Sequence, residues 1–322
     1  MLMRTLGRTG LRVAAFCLGG NTFGWTTDQP ASEAVLDAYV EAGGNFIDTA
    51  DVYSRWAPGN TGGESETALG AWLAARGNRH AVVIATKAMG PMGPGPNDTG
   101  LSRLHIMQAV EASLRRLRTD FIDLYQAHWD DRDTPLDETL RAFDDLVRMG
   151  KVRYIGASNY VAWRLTRALW ESDRHGYVRY ESLQPKYNLV IRDEYERELE
   201  PLCREQNVGV IPYSSLASGF LSGKYRPGGD LPTTARAGGV QKIYMNARGF
   251  AVLAAVEKVA AGIGATPAQV ALSWLAHRPG ITAPIASATS VAQLKELLGA
   301  IDLRLDEDAA ATLDRASAWR DA

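Results

Sequence analysis

Short apolar runs alternate with helical patterns along almost all of this 322-residue chain, and that alternation restricts its fold more than any other feature. The runs expected as strands lie at 16–20, 45–48, 82–86, 121–127, 152–156, 180–184, 208–213 and 281–285. Helical spacing falls between them, at 32–43 with Ser32 as N-cap, then at 64–76, 102–117, 136–149, 162–174 and 195–206. Helices at 250–261 and 267–277 precede the last strand, the second opening on a proline, and one at 291–298 follows it. Eight strands alternating with helices, at about forty residues per unit, fit a (β/α)8 barrel of the TIM type. The competing doubly wound sheet needs a Gly-x-Gly-x-x-Gly turn after its first strand. Leu18-Gly19-Gly20-Asn21-Thr22-Phe23-Gly24 does not supply one.

Two additions to the barrel are expected. Residues 3–15 hold two extended runs around Gly7-Arg8-Thr9-Gly10, a β-hairpin ahead of the first barrel strand. A long irregular stretch at 218–249 and the extra helices follow the seventh strand, and a short polar helix beyond Asp306 packs outside. With no linker or composition shift, the chain reads as a single domain over 1–322. With a net charge of −2 and no basic block, neither nucleic acid nor an anionic membrane is implied as a partner. The start, Met1-Leu2-Met3-Arg4-Thr5-Leu6-Gly7-Arg8, has no apolar signal core, and no later segment is long enough to span a bilayer. Cys17 and Cys203 both sit in apolar patterns and read as buried free thiols, so a cytoplasmic protein is expected.

Active sites of such barrels lie at the C-terminal ends of the strands. Asp48 ends the second apolar run, and Tyr53 follows it on the loop beyond. The third run leads into Lys87 and the fourth into His128. Each residue alone has an ordinary structural explanation; four at successive strand ends form a set. A phenol is a poor acid at neutral pH, with a reference pKa of about 10, and a neighbouring ammonium is expected to lower it. Asp48 would hold Lys87 in place, and His128 would bond a substrate oxygen or relay a proton. The set suits carbonyl reduction or alcohol oxidation. It contains no activated Ser or Cys nucleophile and no metal-ligand spacing. His80, His105, His175 and His277 are scattered and read as structural or solvated.

Five motifs in order then resemble the aldo-keto reductase superfamily, over nearly the whole chain. They are Leu6-Gly7-Arg8-Thr9-Gly10-Leu11-Arg12-Val13, Phe46-Ile47-Asp48-Thr49-Ala50-Asp51-Val52-Tyr53, Met149-Gly150-Lys151-Val152-Arg153-Tyr154-Ile155-Gly156-Ala157-Ser158-Asn159, Gln184-Pro185-Lys186-Tyr187-Asn188, and the run from Pro212-Tyr213-Ser214-Ser215 to Ser222-Gly223-Lys224-Tyr225. The resemblance implies Tyr53 as general acid, Asp48 and Lys87 as its tuning groups and His128 orienting the carbonyl. It implies a nicotinamide cofactor, usually NADPH, whose carboxamide bonds Ser158, Asn159 and Gln184 and whose ring stacks on Tyr213. Ser214, Leu216, Gly219 and Lys224 match the loop that wraps the pyrophosphate, and Gly20, Asn21 and Asp48 are implied as further contacts. At the adenosine end the implied contacts are Ser287, Thr289, Gln293 and Glu296. There the chain departs from the family pattern, because Ser287 and Gln293 stand where many members carry a basic residue, and Leu297 replaces an Asn. Arg236 or Arg248 in the long loop would have to supply charge for a 2′-phosphate. NADPH remains the expected cofactor, with NADH use more open than the family default.

The motif spacing, with its long loop after Gly219, is more similar to the bacterial and potassium-channel β-subunit branch than to aldose reductases. Trp25, Trp56 and Trp129 are expected to wall a pocket for an aromatic, aliphatic or sugar-derived carbonyl compound. Two other functions compete with a reductase. One is a regulatory protein that binds the cofactor with little turnover, which the intact set of four opposes. The other is a barrel lyase or isomerase using Lys87 as a Schiff-base amine.

Overall fold

The structure, a computed structural model, describes residues 1–319. Strands β1 (Met3–Thr5) and β2 (Arg12–Ala14) form the antiparallel N-terminal hairpin. Then come β3 (Cys17–Gly19), α1 (Gln29–Glu41), β4 (Phe46–Asp48), α2 (Glu64–Arg76), β5 (Val83–Ala88) and α3 (Arg103–Leu117). β6 (Ile122–Ala127), α4 (Leu136–Arg148), β7 (Val152–Ser158), α5 (Ala162–His175) and β8 (Tyr180–Gln184) continue the alternation. After α6 (Asp193–Glu196) and α7 (Leu199–Glu205) follow β9 (Gly209–Val210), α8 (Ala237–Ile243), α9 (Ala247–Ile263) and α10 (Pro267–Ala276). β10 (Ile285–Ala286), α11 (Val291–Asp302) and α12 (Glu307–Ala316) complete the described chain.

β3 to β10 form one parallel sheet of eight strands in the order β10-β3-β4-β5-β6-β7-β8-β9. Backbone bonds join its two edges. Ile281 bridges Val210, the Thr282 N–H donates to the Val210 carbonyl at 2.7 Å, and the Ile285 N–H donates to the Pro212 carbonyl at 2.8 Å. The sheet is thus a (β/α)8 barrel. Its interior is filled by Cys17, Phe46, Val83, Ala85, Leu124, Ile211, Ala283 and Ile285, with Leu6 and Val13 of the hairpin region plugging the N-terminal end. A larger apolar layer separates strands from helices. The plug depends on Gly7, whose φ is +55° and where an added Cβ would stand 2.3 Å from the Glu181 carbonyl.

Several boundaries differ from the sequence expectation, and backbone chemistry explains them. α1 starts earlier than residue 32. Asp28 is its N-cap, accepting from the Ala31 N–H at 3.0 Å, Pro30 sits in its first turn, and Ser32 is buried inside the helix. The expected helix at 195–206 is two pieces, since Pro201 has no N–H for the Arg197 carbonyl. The strands expected at 208–213 and 281–285 shrink to two residues each because Pro212 and Pro284 cannot donate to the ladder. The irregular stretch contains a 3-10 turn, Ala217–Ser222, and α8. No single helix among the described residues is long and apolar enough to cross a membrane.

Candidate active site

The C-terminal ends of β4, β5 and β6 bring the four predicted residues together. Asp48 is the last residue of β4, Lys87 the penultimate residue of β5, and His128 directly follows β6. A turn closed by the Tyr53 N–H on the Ala50 carbonyl returns Tyr53 over the strand ends, and the Asp51 N–H ties that turn to the Lys87 carbonyl. Lys87 is wholly buried. Its ammonium donates to the two Asp48 oxygens at 2.8 and 2.7 Å, to the Thr49 carbonyl at 2.8 Å and to the Tyr53 hydroxyl oxygen at 2.9 Å. The Tyr53 hydroxyl also lies 3.3 Å from Asp48. Two amides complete the carboxylate's surroundings, Gln184 donating at 2.8 Å and Gln126 at 3.3 Å.

The electrostatics correct one expectation. Burial, and after it the Asp48 carboxylate, push the Tyr53 phenol well above its ordinary value, so the Lys87 ammonium does not produce the expected lowering. Tyr53 is therefore held protonated through the neutral range. Burial, with Lys87 second, drives His128 well below the usual imidazole value, so its ring is neutral. His128 stacks on Trp129 with ring centroids 3.8 Å apart, and its buried Nδ1 has no partner among the described residues.

Beside these residues opens a cleft of about 750 Å³. Asp48, Tyr53 and Tyr213 line one part of it, with Asn21, Ser214, Leu216, Gly219, Lys224, Ser287, Thr289, Gln293 and Glu296 along the rest. Eleven of the fifteen expected cofactor residues thus border one space. Gly20, Ser158, Asn159 and Gln184 do not. Gly20 packs instead, its N–H donating to the Asp48 carbonyl and its Cα too close to Asp48 and Ser65 to carry a Cβ without a shift. The other three stand behind the wall in a bonded chain. The Tyr213 hydroxyl donates to Asn159 at 2.8 Å, the Asn159 amide to Ser158 at 3.0 Å and to the His128 carbonyl at 2.9 Å, and Ser158 to the Gln184 carbonyl at 2.9 Å.

The cleft also holds two cations. Arg236 lines it and reaches Asn21 at 3.3 Å, Ser287 donates to the same Asn21 oxygen at 2.6 Å, and the Arg236 guanidinium lies 5.4 Å from the Trp25 ring. Neither Lys224 nor Arg236 has a carboxylate partner among the described residues, and burial lowers both pKa values, with Arg236 also acting on Lys224. The backbone between them and Tyr213 is unusual. Ser214, Ala217 and Ser218 have φ of +55°, +49° and +57°, and Gly219 has +92°. Such left-handed residues often form the concave backbone that receives anions. Arg248, the other candidate, is committed elsewhere, donating to the Ser317 carbonyl at 3.0 Å and the Ala318 carbonyl at 2.9 Å.

The three tryptophans lie outside this cleft, around the phenol. Trp56 sits 5.9 Å from Tyr53 and edge-on to Trp25 at 5.5 Å, while Trp129 covers His128. Trp56 and Trp129 are 50% and 41% exposed, so this aromatic mouth is open to solvent. The sequence reading missed Gln126 and the segment Thr233–Thr234–Ala235 on the cleft wall. Gln126 had a signal, an amide at an inward position of an apolar strand, whereas nothing in a loop sequence marks which residues fold back over a cleft.

A (β/α)8 barrel that places a phenol, an ammonium, a carboxylate and a neutral imidazole beside a cleft of dinucleotide size defines a class, that of barrel enzymes equipped for proton transfer at a carbonyl or hydroxyl. The chain belongs to the aldo/keto reductase family, whose model matches residues 15–318. It is 39% identical over 309 residues to an uncharacterised oxidoreductase, YrpG, of Bacillus subtilis, covering 94% of this chain and 92% of that one. A probable voltage-gated potassium channel subunit beta of Arabidopsis thaliana is 34% identical over the same two shares, 94% and 92%. Aldo-keto reductase AMT2 of Alternaria alternata is 35% identical, covering 97% of this chain and 90% of its own. Membership carries oxidoreductase activity in general, with NADPH or NADH as the family's cofactors.

Proposed function

We propose that the protein reduces an aldehyde or ketone to an alcohol, reversibly, with Tyr53 as general acid. The observation that carries this reading is the Lys87 ammonium bonded at once to Asp48 and to the Tyr53 hydroxyl, at the open end of the barrel. A cleft of about 750 Å³ with two uncompensated cations fits a dinucleotide phosphate. A bound reduced nicotinamide supplies the hydride to the carbonyl carbon. Tyr53 supplies the proton to the carbonyl oxygen, and the phenolate left behind is stabilised by Lys87. The neutral His128 ring offers a donor to that oxygen and fixes its direction. Tyr213 presents an apolar face for the nicotinamide, and Asn159, which does not border the cleft, holds the Tyr213 hydroxyl from behind. Lys224 and Arg236, with the left-handed turn at 214–219, take the phosphates. The three tryptophans suit a carbonyl compound with an apolar or ring-shaped body.

Fluorescence titration with NADPH and NADH in parallel tests the reading. Tight binding of NADPH, weaker binding of NADH, and oxidation of NADPH on adding a carbonyl compound are expected. Binding of neither would overturn it. The likeness to a channel subunit gives a second reading, a cofactor-binding regulator with low turnover, for which NADPH binds but no carbonyl compound is consumed.

A further inference from the structure

Arg236 stands at the cleft on weak fastenings of its own, a 3.3 Å bond to Asn21 and a ring contact with Trp25 at 5.4 Å. Its place is set by the helix it opens. Arg236 is the N-cap of α8 and Tyr244 the C-cap, and both keep right-handed helical backbone angles. The Val240 N–H donates to the Arg236 carbonyl at 3.0 Å, and the Tyr244 N–H donates to the Val240 carbonyl at 2.8 Å. Residues four apart share a helix face, so Arg236, Val240 and Tyr244 fall within an arc of about 80° over a rise of about 12 Å. They make a short rod with a cation at its cleft end. The other end is anchored. Val240 and Tyr244 are buried, and the Tyr244 ring stacks on Phe220 with centroids 6.0 Å apart. Helix α9 packs so closely on the Tyr244 carbonyl that a Cβ added to Gly249 would stand 1.9 Å from it.

A buried phenol needs partners for its hydroxyl. Burial pushes the Tyr244 phenol up to about 12, and hydrogen bonds with Asn188 and Ser214 partly offset that rise. Asn188 is fully buried and rigidly held. Its oxygen accepts from the Val190 and Ile191 N–H groups at 2.9 and 3.0 Å, and its amide donates to the Ser214 carbonyl at 3.0 Å. Ser214 opens the left-handed turn and lines the cleft beside Tyr213. The Tyr244 hydroxyl thus joins two parts of the cleft wall, the turn at 214–219 and the helix that starts at Arg236. We infer that Tyr244 is a positioning residue for the cofactor, its hydroxyl fastened to Asn188 and Ser214 so that α8 holds Arg236 in place at the cleft. This role presupposes that the cleft holds NADPH. Tyr244 does not border the cleft and acts only through residues that do. The role belongs to the hydroxyl, because Phe220 and α9 pack the ring with or without it. Without the hydroxyl the turn keeps its own bonds, since the Ser214 carbonyl still accepts from Asn188 and from the Ala217 N–H at 2.7 Å. What loosens is α8.

Fluorescence titration with NADPH tests the role on four chains: wild type, Tyr244→Phe, Arg236→Ala and the double variant. Tyr244→Phe keeps the packed ring and removes only the hydroxyl. It is expected to weaken NADPH binding about three- to tenfold and to raise KM for NADPH, with turnover at saturating NADPH as in the wild type. In the Arg236→Ala chain the same substitution is expected to cost less than about twofold, because the group it positions is gone. A hydroxyl that served stability alone would lower the melting temperature and leave NADPH affinity unchanged, and that result overturns the role. So does a loss of affinity equally large with and without Arg236. In both cases the wild-type chain binds NADPH, and the reductase reading stands. A wild-type chain that binds no dinucleotide overturns that reading and the role of Tyr244 with it.

Discussion

Asp48 and Lys87 are buried together at 1% and 0% exposure, and neither is tolerable there without the other. Lys87, Gln184, Gln126 and the Tyr53 hydroxyl all donate to the carboxylate. Lys87→Met leaves that carboxylate buried without its cation and is expected to cost about 3–5 kcal/mol of stability, together with turnover, measured by denaturant unfolding. His128 makes a pH prediction. It is neutral in the fold and free to protonate in the unfolded chain, so the unfolded state binds more protons. Stability from this residue is therefore fully present above the ordinary imidazole value of about 6.5 and is lost as pH falls below it. His128→Gln should flatten that acid-side loss in melting temperature without abolishing it, because burial also lowers His105 and His277. The sequence exposed Asp48, Tyr53, Lys87 and His128 because each ends or follows an apolar run. Gln126 stayed hidden since one amide inside a strand reads as packing, and the direction of the Tyr53 shift depends on how deeply the phenol is buried.

Helices and strands were legible from periodicity, and their ends were set by bonds that periodicity does not register. Pro212 and Pro284 cut two strands short, and Asp28 with Pro30 moved the start of α1. Where a proline or a capping side chain stands in the sequence, the correction was available; where the loop at 223–246 folds back over the cleft, it was not. The hairpin plug gives one test at this scale. Gly7→Ala combines a left-handed φ with a clash at Glu181 and should destabilise the protein by more than about 1 kcal/mol in chemical unfolding. The loop gives another. Arg236→Ala should weaken NADPH binding by about 10- to 100-fold in a fluorescence titration, while Arg248→Ala, whose guanidinium is tied to the C-terminal tail, should leave it unchanged.

The barrel is closed at one end by the hairpin, and the cleft opens beside Asp48 and Tyr53 at the strands' C-terminal ends. The family pattern runs through nearly the entire chain, and the alternation of strands and helices alone already indicated the architecture. The substrate was not legible, because the aromatic mouth formed by Trp25, Trp56 and Trp129 is open and offers shape without a fixed polar contact. On the proposed reading, Tyr53 gives its proton to the substrate and takes no part in holding the cofactor. Carbonyl-dependent NADPH oxidation by Tyr53→Phe, with NADPH affinity measured on the same preparation, tests it most directly. Turnover is expected to fall by about 10²- to 10⁴-fold, with cofactor affinity within a few-fold of wild type. Turnover near that of the wild-type protein would contradict it.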